Sequence, residues 1–210
     1  NFPFYGNSYN EIRINPNGWI GFGDDNSEWN NQQLPSNSAP SPAIFPFWDD
    51  LNPINDNCNQ YCSGNVLYHS NSERMVIWFN SVAHWWTNFE NSFYDFQVVI
   101  YSNGDISFNY NEMLGDFSDA TIGIQNLGGD DGLNIAYNNN YLQNLLSVKI
   151  IKAPEWITLS QNSGQINDGD AMQWQTIYFN TFMEHELRII LDDSQDNVNV
   201  NQSIMVLYEN

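Results

Sequence analysis

Apolar and polar residues alternate with a period of two along most of this chain, the pattern of half-buried β-strands. Arg74-Met75-Val76-Ile77-Trp78-Phe79, Phe93 to Tyr101 and Asp105 to Tyr110 all carry it. No stretch holds a 3.6-residue apolar repeat capped at both ends. The nearest, Tyr141 to Leu146, is too short to stand as a helix. The turns are explicit. Asn15-Pro16-Asn17-Gly18 divides Ile12-Arg13-Ile14 from Trp19-Ile20-Gly21-Phe22, and Ser102-Asn103-Gly104 divides two of the longest strands. Asn-Gly accepts the positive φ that tight hairpins require. Ser70-Asn71-Ser72-Glu73 joins Val66-Leu67-Tyr68 to Arg74-Met75-Val76. Hairpins of this kind predict antiparallel sheets.

Two long connections interrupt the pattern. One runs from Gly23 to Pro42 and carries Asp24, Asp25, Glu28 and Trp29; the other runs from Asp49 to Ser63. Loops of this length in a compact domain are often functional. A boundary falls near Ala153-Pro154. Leu146 to Ile151 reads as a closing strand before it, and Glu155 to Ser160 opens a new pattern after it. Later strands are expected over Gln173 to Phe179, Glu186 to Leu191 and Ser203 to Tyr208, with a turn cluster at Asp192 to Asp196. The expectation is all-β, with a large antiparallel β-sandwich over residues 1–152 and a smaller module over 153–210.

Charge narrows the partners. Five Lys plus Arg face 25 Asp plus Glu, a formal charge of -20. Such a surface repels nucleic acid and anionic lipid, which excludes both. It attracts Ca²⁺ and Mg²⁺, which prefer oxygen ligands, although scattered acids also serve solubility alone. Two cysteines, Cys58 and Cys62, lie in an Asn-rich loop with three residues between them. In an oxidising compartment they would close a small disulfide that shapes the loop more than it stabilises the chain. A free pair and a metal site remain alternatives, with His69 the nearby imidazole. No apolar run approaches the length of a membrane span. The chain opens inside a motif, at Asn1-Phe2-Pro3-Phe4-Tyr5-Gly6, and reads as a piece of a longer protein.

The order of several short motifs is informative. Phe2-Pro3-Phe4-Tyr5-Gly6 is followed by Ile14-Asn15-Pro16-Asn17-Gly18-Trp19-Ile20-Gly21-Phe22, then Ala43-Ile44-Phe45-Pro46-Phe47-Trp48-Asp49-Asp50-Leu51. Gly64 to Tyr68, Phe96 to Gly104 and Thr121-Ile122-Gly123-Ile124-Gln125-Asn126 complete the series. This succession resembles the nidogen-like (NIDO-type) extracellular module. It is closer still to a related bacterial module of secreted multidomain proteins, subtilisin-like peptidases of marine and gliding bacteria among them. Residues 156–191 are similar to the short immunoglobulin-like repeats of bacterial surface proteins, on Trp156 to Gly164, Gly169-Asp170, Ile177 to Asn180 and Leu187 to Leu191. Their usual Gly-Thr-Tyr is replaced here by Glu184-His185-Glu186. The resemblance implies a sandwich of about a dozen strands followed by an immunoglobulin-like sandwich. It also implies a spacer, adhesion or substrate-docking role beside a separate enzyme.

The residues themselves offer little for catalysis. There is no G-x-S-x-G elbow, P-loop or dinucleotide fingerprint. His185-Glu186 begins like H-E-x-x-H, but Ile189 stands where the second His is needed. A carboxylate pair for glycoside hydrolysis is the enzymatic alternative, as in a β-sandwich glycosidase or lyase. Asp49 and Asp50 form the metal candidate, since with Asp56, Asn52, Asn55 or backbone carbonyls they could hold Ca²⁺. Adjacent strand residues face opposite ways, so one Asp could instead turn inward and cap the loop. Asp24-Asp25-Asn26 and Gly129-Asp130-Asp131-Gly132 are secondary candidates.

His84, Trp85, Trp86 and Phe89 form the ligand-binding candidate, because exposed indoles stack on sugars or grip peptides. The alternatives are a Trp that plugs the sheet end and a packed His84. The expected function is non-catalytic extracellular or cell-surface binding, adhesion or accessory work. The partner would be a glycan, a protein surface or neighbouring domains of the same polypeptide. A filament subunit or spacer stalk, built by self-assembly, is the structural alternative.

Overall fold

The computed structural model describes residues 1–23, 27–53, 64–85 and 92–152, and the backbone of three further strands. The first strands are β1 (Phe2–Phe4), β2 (Asn7–Tyr9), β3 (Arg13–Asn15), β4 (Trp19–Gly21), β5 (Ala43–Trp48) and β6 (Leu51–Asn52). There follow β7 (Asn65–Ser70), β8 (Arg74–His84), β9 (Phe93–Tyr101), β10 (Ile106–Leu114), β11 (Thr121–Gln125), β12 (Gly132–Tyr137) and β13 (Ser147–Lys152). The backbone-only strands are β14 (Ile157–Leu159), β15 (Ile177–Phe179) and β16 (Ser203–Tyr208). No helix occurs among the described residues. The expected strand over Glu186 to Leu191 and the Cys58, Cys62 pair lie outside them.

Two sheets form a sandwich. The smaller has the order β12-β11-β5-β4-β3, and the larger runs β13-β10-β9-β8. Beyond β8, the strands β6 and β7 pair with different parts of its length. β16 adds in parallel to the outer side of β13, Ser203 opposite Ser147, while β14 pairs with β15. The hairpins that join β3 to β4, β7 to β8 and β9 to β10 stand where the turn residues put them.

Alternation produces the core. On β9 the inward residues are Tyr94, Phe96, Val98 and Ile100, and β10 answers with Ile106, Phe108 and Tyr110. Ile20, Ile44, Phe47, Ile122 and Ile124 of the smaller sheet complete the same cluster. A hydrogen bond crosses between the layers: Tyr110 Oη donates to the Pro46 carbonyl at 2.6 Å. Pro46 has no N–H for a ladder, and it lies where the β5–β11 register shifts, the kind of site where a sheet tolerates proline.

β5 is buried along its whole length because both its faces are covered. One meets the sandwich core. The other lies under the Gly23–Pro42 connection, in a second cluster of Trp19, Leu34, Ala39, Ala43, Phe45 and Trp48. That connection is tied down by distant polar side chains. Buried Gln125 accepts from Ser36 N–H (3.0 Å) and donates to the carbonyls of Ser36, Ala39 and Pro40. Thr121 Oγ1 donates to the Gln32 carbonyl (2.7 Å), and Asn134 Oδ1 accepts from Leu34 N–H (3.1 Å).

The alternation is plain from Arg74 to Phe79, but the strand continues to His84. The β8–β9 register shifts between Phe79 and Val82, with Ser81 at φ 54°. A bulge bends and re-aims a strand, and here the segment beyond it pairs with β6. Gly64 lies against the bulge, its N–H donating to the Ser81 carbonyl at 2.8 Å. A Cβ there would lie 1.5 Å from the Asn80 carbonyl oxygen, so only glycine fits.

Candidate functional site: a cleft between two tryptophans

At the end of the sandwich where β5, β6 and β8 meet, a cleft of about 580 Å³ opens to solvent. Trp29 and Trp85 line it, over Pro16, Asn17, Asp50, Leu51, Asn52 and Pro53. Both indoles are more than half exposed, at 54% and 56%. Large aromatic side chains left in water at a concave surface mark binding sites more often than chance exposure does.

Hydrogen bonds fix the backbone that carries each indole. The tryptophans of the second cluster, Trp19 and Trp48, donate their indole N–H groups to one carbonyl, that of Glu28, at 2.9 and 3.2 Å. Glu28 Oε1 accepts from Asn30 N–H at 2.9 Å. The backbone is thus clamped on either side of Trp29. Trp85 N–H donates to the Asp50 carbonyl at 2.8 Å, continuing the β6–β8 pairing past His84. The floor is tied to the β3–β4 turn, since Asn17 Oδ1 accepts from Leu51 N–H (3.2 Å) and the Asn17 carbonyl from Asp49 N–H (3.2 Å).

The two adjacent aspartates face opposite ways. Asp49 is buried; its Oδ1 accepts from Asp50 N–H at 2.7 Å, and its Oδ2 lies 3.4 Å from His84 Nε2. Asp50 is half-buried and borders the cleft. Burial raises the Asp50 pKa; His84 draws it down and Asp49 pushes it up. Further acids gather behind. Burial raises Asp119, with Asp49 and Asp116 adding to the rise. Asp116 is held low by hydrogen bonds from the Ser118 N–H and hydroxyl, and its carbonyl accepts from Tyr94 Oη.

The structure therefore brings together Asp49, His84, Asp50 and Trp85, and sends them to different tasks. His84 is packed against Asp49, with its side chain 9% exposed, and does not line the cleft. Trp85 does. Asp56, Trp86 and Phe89 lie outside the described residues, as do Asp24, Asp25, Asn26 and Asn55. Among the described residues, no three His, Cys, Asp or Glu side chains gather in a way that could hold a metal ion. Asp130 instead ties up its own turn, accepting from Asn126 Nδ2 at 2.8 Å. Sequence reasoning missed Trp29 as a site residue. The available signal was a large aromatic in a long polar connection.

The model of the family described as NIDO related matches residues 1–170. The chain belongs to the NIDO-related family. No curated protein and no solved structure matches it. Membership supports an extracellular accessory or binding type of module, and the NIDO-related match runs past Ala153 to cover β14. Among the described residues, no helix is long and apolar enough to cross a membrane.

Proposed function

We propose that this chain is a non-catalytic binding module of a larger secreted or cell-surface protein, and that the Trp29–Trp85 cleft is its docking face. The observation that carries this reading is a pair of exposed indoles that line one cleft and whose backbones are fixed by hydrogen bonds to neighbouring segments. An anchor ordered beforehand loses little entropy on binding, so its contact area converts well into affinity.

Replacing Trp29 and Trp85 together by alanine should weaken binding to the cognate ligand by about 2 kcal/mol or more, the range of aromatic hot spots. Wild-type and variant chains compared on the same glycan and extracellular-protein arrays test this. Equal signals from both would refute it. The melting temperature should stay near wild type, since neither indole is in the core.

A second reading, self-assembly into a filament or stalk, is favoured by β7. Among the described residues this strand pairs only with β8. It carries no Lys, Arg, Asp or Glu, and it exposes Leu67 and Tyr68. An uncharged apolar edge is a template for strand addition. Tyr68→Lys should then abolish any concentration-dependent association seen by sedimentation. A wild-type chain that remains monomeric at high concentration rejects self-assembly.

A further inference from the structure

We infer that the Trp29–Trp85 cleft takes a neutral pyranose oligosaccharide; the inference rests on the cleft being the docking face. A pyranose presents C–H groups on its flat faces and hydroxyls around its rim. A matching site offers flat apolar surfaces and, beside them, planar acceptors and donors. The cleft has both. Trp29 and Trp85 supply the aromatic faces, with Pro16, Leu51 and Pro53 between them. Asp50, Asn17 and Asn52 supply the polar groups. Asn17 is oriented by the bond from Leu51 N–H to its Oδ1, so the other end of its carboxamide is a donor. When ionised, the Asp50 carboxylate can accept hydrogen bonds from two neighbouring hydroxyls at once, one at each oxygen, and protonation turns one of those oxygens into a donor.

Charge selects among sugars. The chain carries a formal -20, and no Lys or Arg occurs among the described residues that line the cleft. Uronates and sulfated sugars would bring an anion against a carboxylate already short of solvent, with no cation to receive it. Size selects against a small cation. Trp, Trp and Asp also suit a quaternary ammonium group, but a cleft of about 580 Å³ has the dimensions of a multi-ring ligand. An apolar peptide helix needs a continuous apolar groove, and here a carboxylate and two carboxamides interrupt it.

The test is calorimetric titration of the whole 210-residue chain with short neutral oligosaccharides of differing linkage, with oligogalacturonate, with choline and with a tryptophan-rich peptide. At least one neutral series should bind, with affinity rising with chain length and little sensitivity to salt. Trp29→Ala and Trp85→Ala should each weaken it roughly tenfold or more. Asp50→Asn should also weaken it, by removing an acceptor. In the wild type, acidification should weaken binding starting above the ordinary aspartate range, because the Asp50 carboxyl is raised by burial. Indole-dependent binding of choline, the acidic sugar or the peptide, with no neutral sugar bound, overturns the sugar assignment and leaves the docking face intact. Binding of neutral sugar that neither indole variant disturbs overturns both. Failure of every neutral series overturns the sugar assignment.

Discussion

Replacing Phe96 by alanine is expected to lower the unfolding free energy by about 3–5 kcal/mol, the cost of an aromatic cavity in a packed core. Phe96 joins the two layers. Its ring stacks on Phe79 of the neighbouring strand at 4.6 Å and 10°, and meets Phe47 of the opposite sheet edge-on at 5.8 Å. Tyr110 lies 6.2 Å away and carries the interlayer bond to Pro46. Aromatic pairs of this geometry contribute roughly 0.5–1.5 kcal/mol beyond their buried area. Collapse around the gap is limited because both sheets are pinned by their own ladders. Denaturant unfolding checks the value. The midpoint should fall while the slope stays constant, and a loss under about 1 kcal/mol would mean that the sheets do not pack through this ring.

Gly18→Ala is expected to cost about as much, by a different route, and to damage the cleft as well. Gly18 sits at φ 74°, in the left-handed region, where an L-residue is disfavoured by roughly 1–2 kcal/mol. A Cβ there would lie 1.8 Å from the Phe47 carbonyl oxygen and 3.1 Å from Leu51 Cδ1. Something must move, and overpacking of this sort typically costs a further ~1–3 kcal/mol. What moves is the stitch that carries the cleft floor. Phe47 N–H donates to the Gly18 carbonyl at 3.3 Å, and Asp49 N–H to that of Asn17 at 3.2 Å. The variant should therefore lose ligand affinity together with thermal stability, both measured on one sample. Unchanged melting temperature would show that the turn can open without strain.

The sandwich was legible because its signals are local. Asn17-Gly18 and Asn103-Gly104 set hairpin turns by their own backbone preferences, and the alternation from Phe93 to Tyr101 assigns faces residue by residue. The run Ile44 to Trp48 is apolar throughout, as suits a strand covered on both faces. What covers its second face was not legible, because Gln125 and Thr121, which tie down the Gly23–Pro42 connection, lie 85–89 residues from the backbone groups they bind. Trp29 was hidden for the same reason: its position follows from two buried indoles on the Glu28 carbonyl, a convergence that no spacing announces. Trp85 was legible as an exposed aromatic beside a strand end. His84 was legible only as an alternative, because the bulge at Ser81 decides where that strand end points. Asp49 and Asp50 divided inward and outward as period two requires, but the partner of the inward one, His84, comes from a strand 35 residues away.

The chain has eight tryptophans, and their indole N–H resonances offer the most direct test of the docking face. On titration with a bound ligand, the Trp29 and Trp85 signals should shift together and saturate at one affinity. Trp19 and Trp48, buried and bonded to the Glu28 carbonyl, should hold nearly still. Saturable binding that leaves Trp29 and Trp85 unmoved, with the perturbation centred on Leu67 and Tyr68, would contradict the cleft and place recognition at the β7 edge.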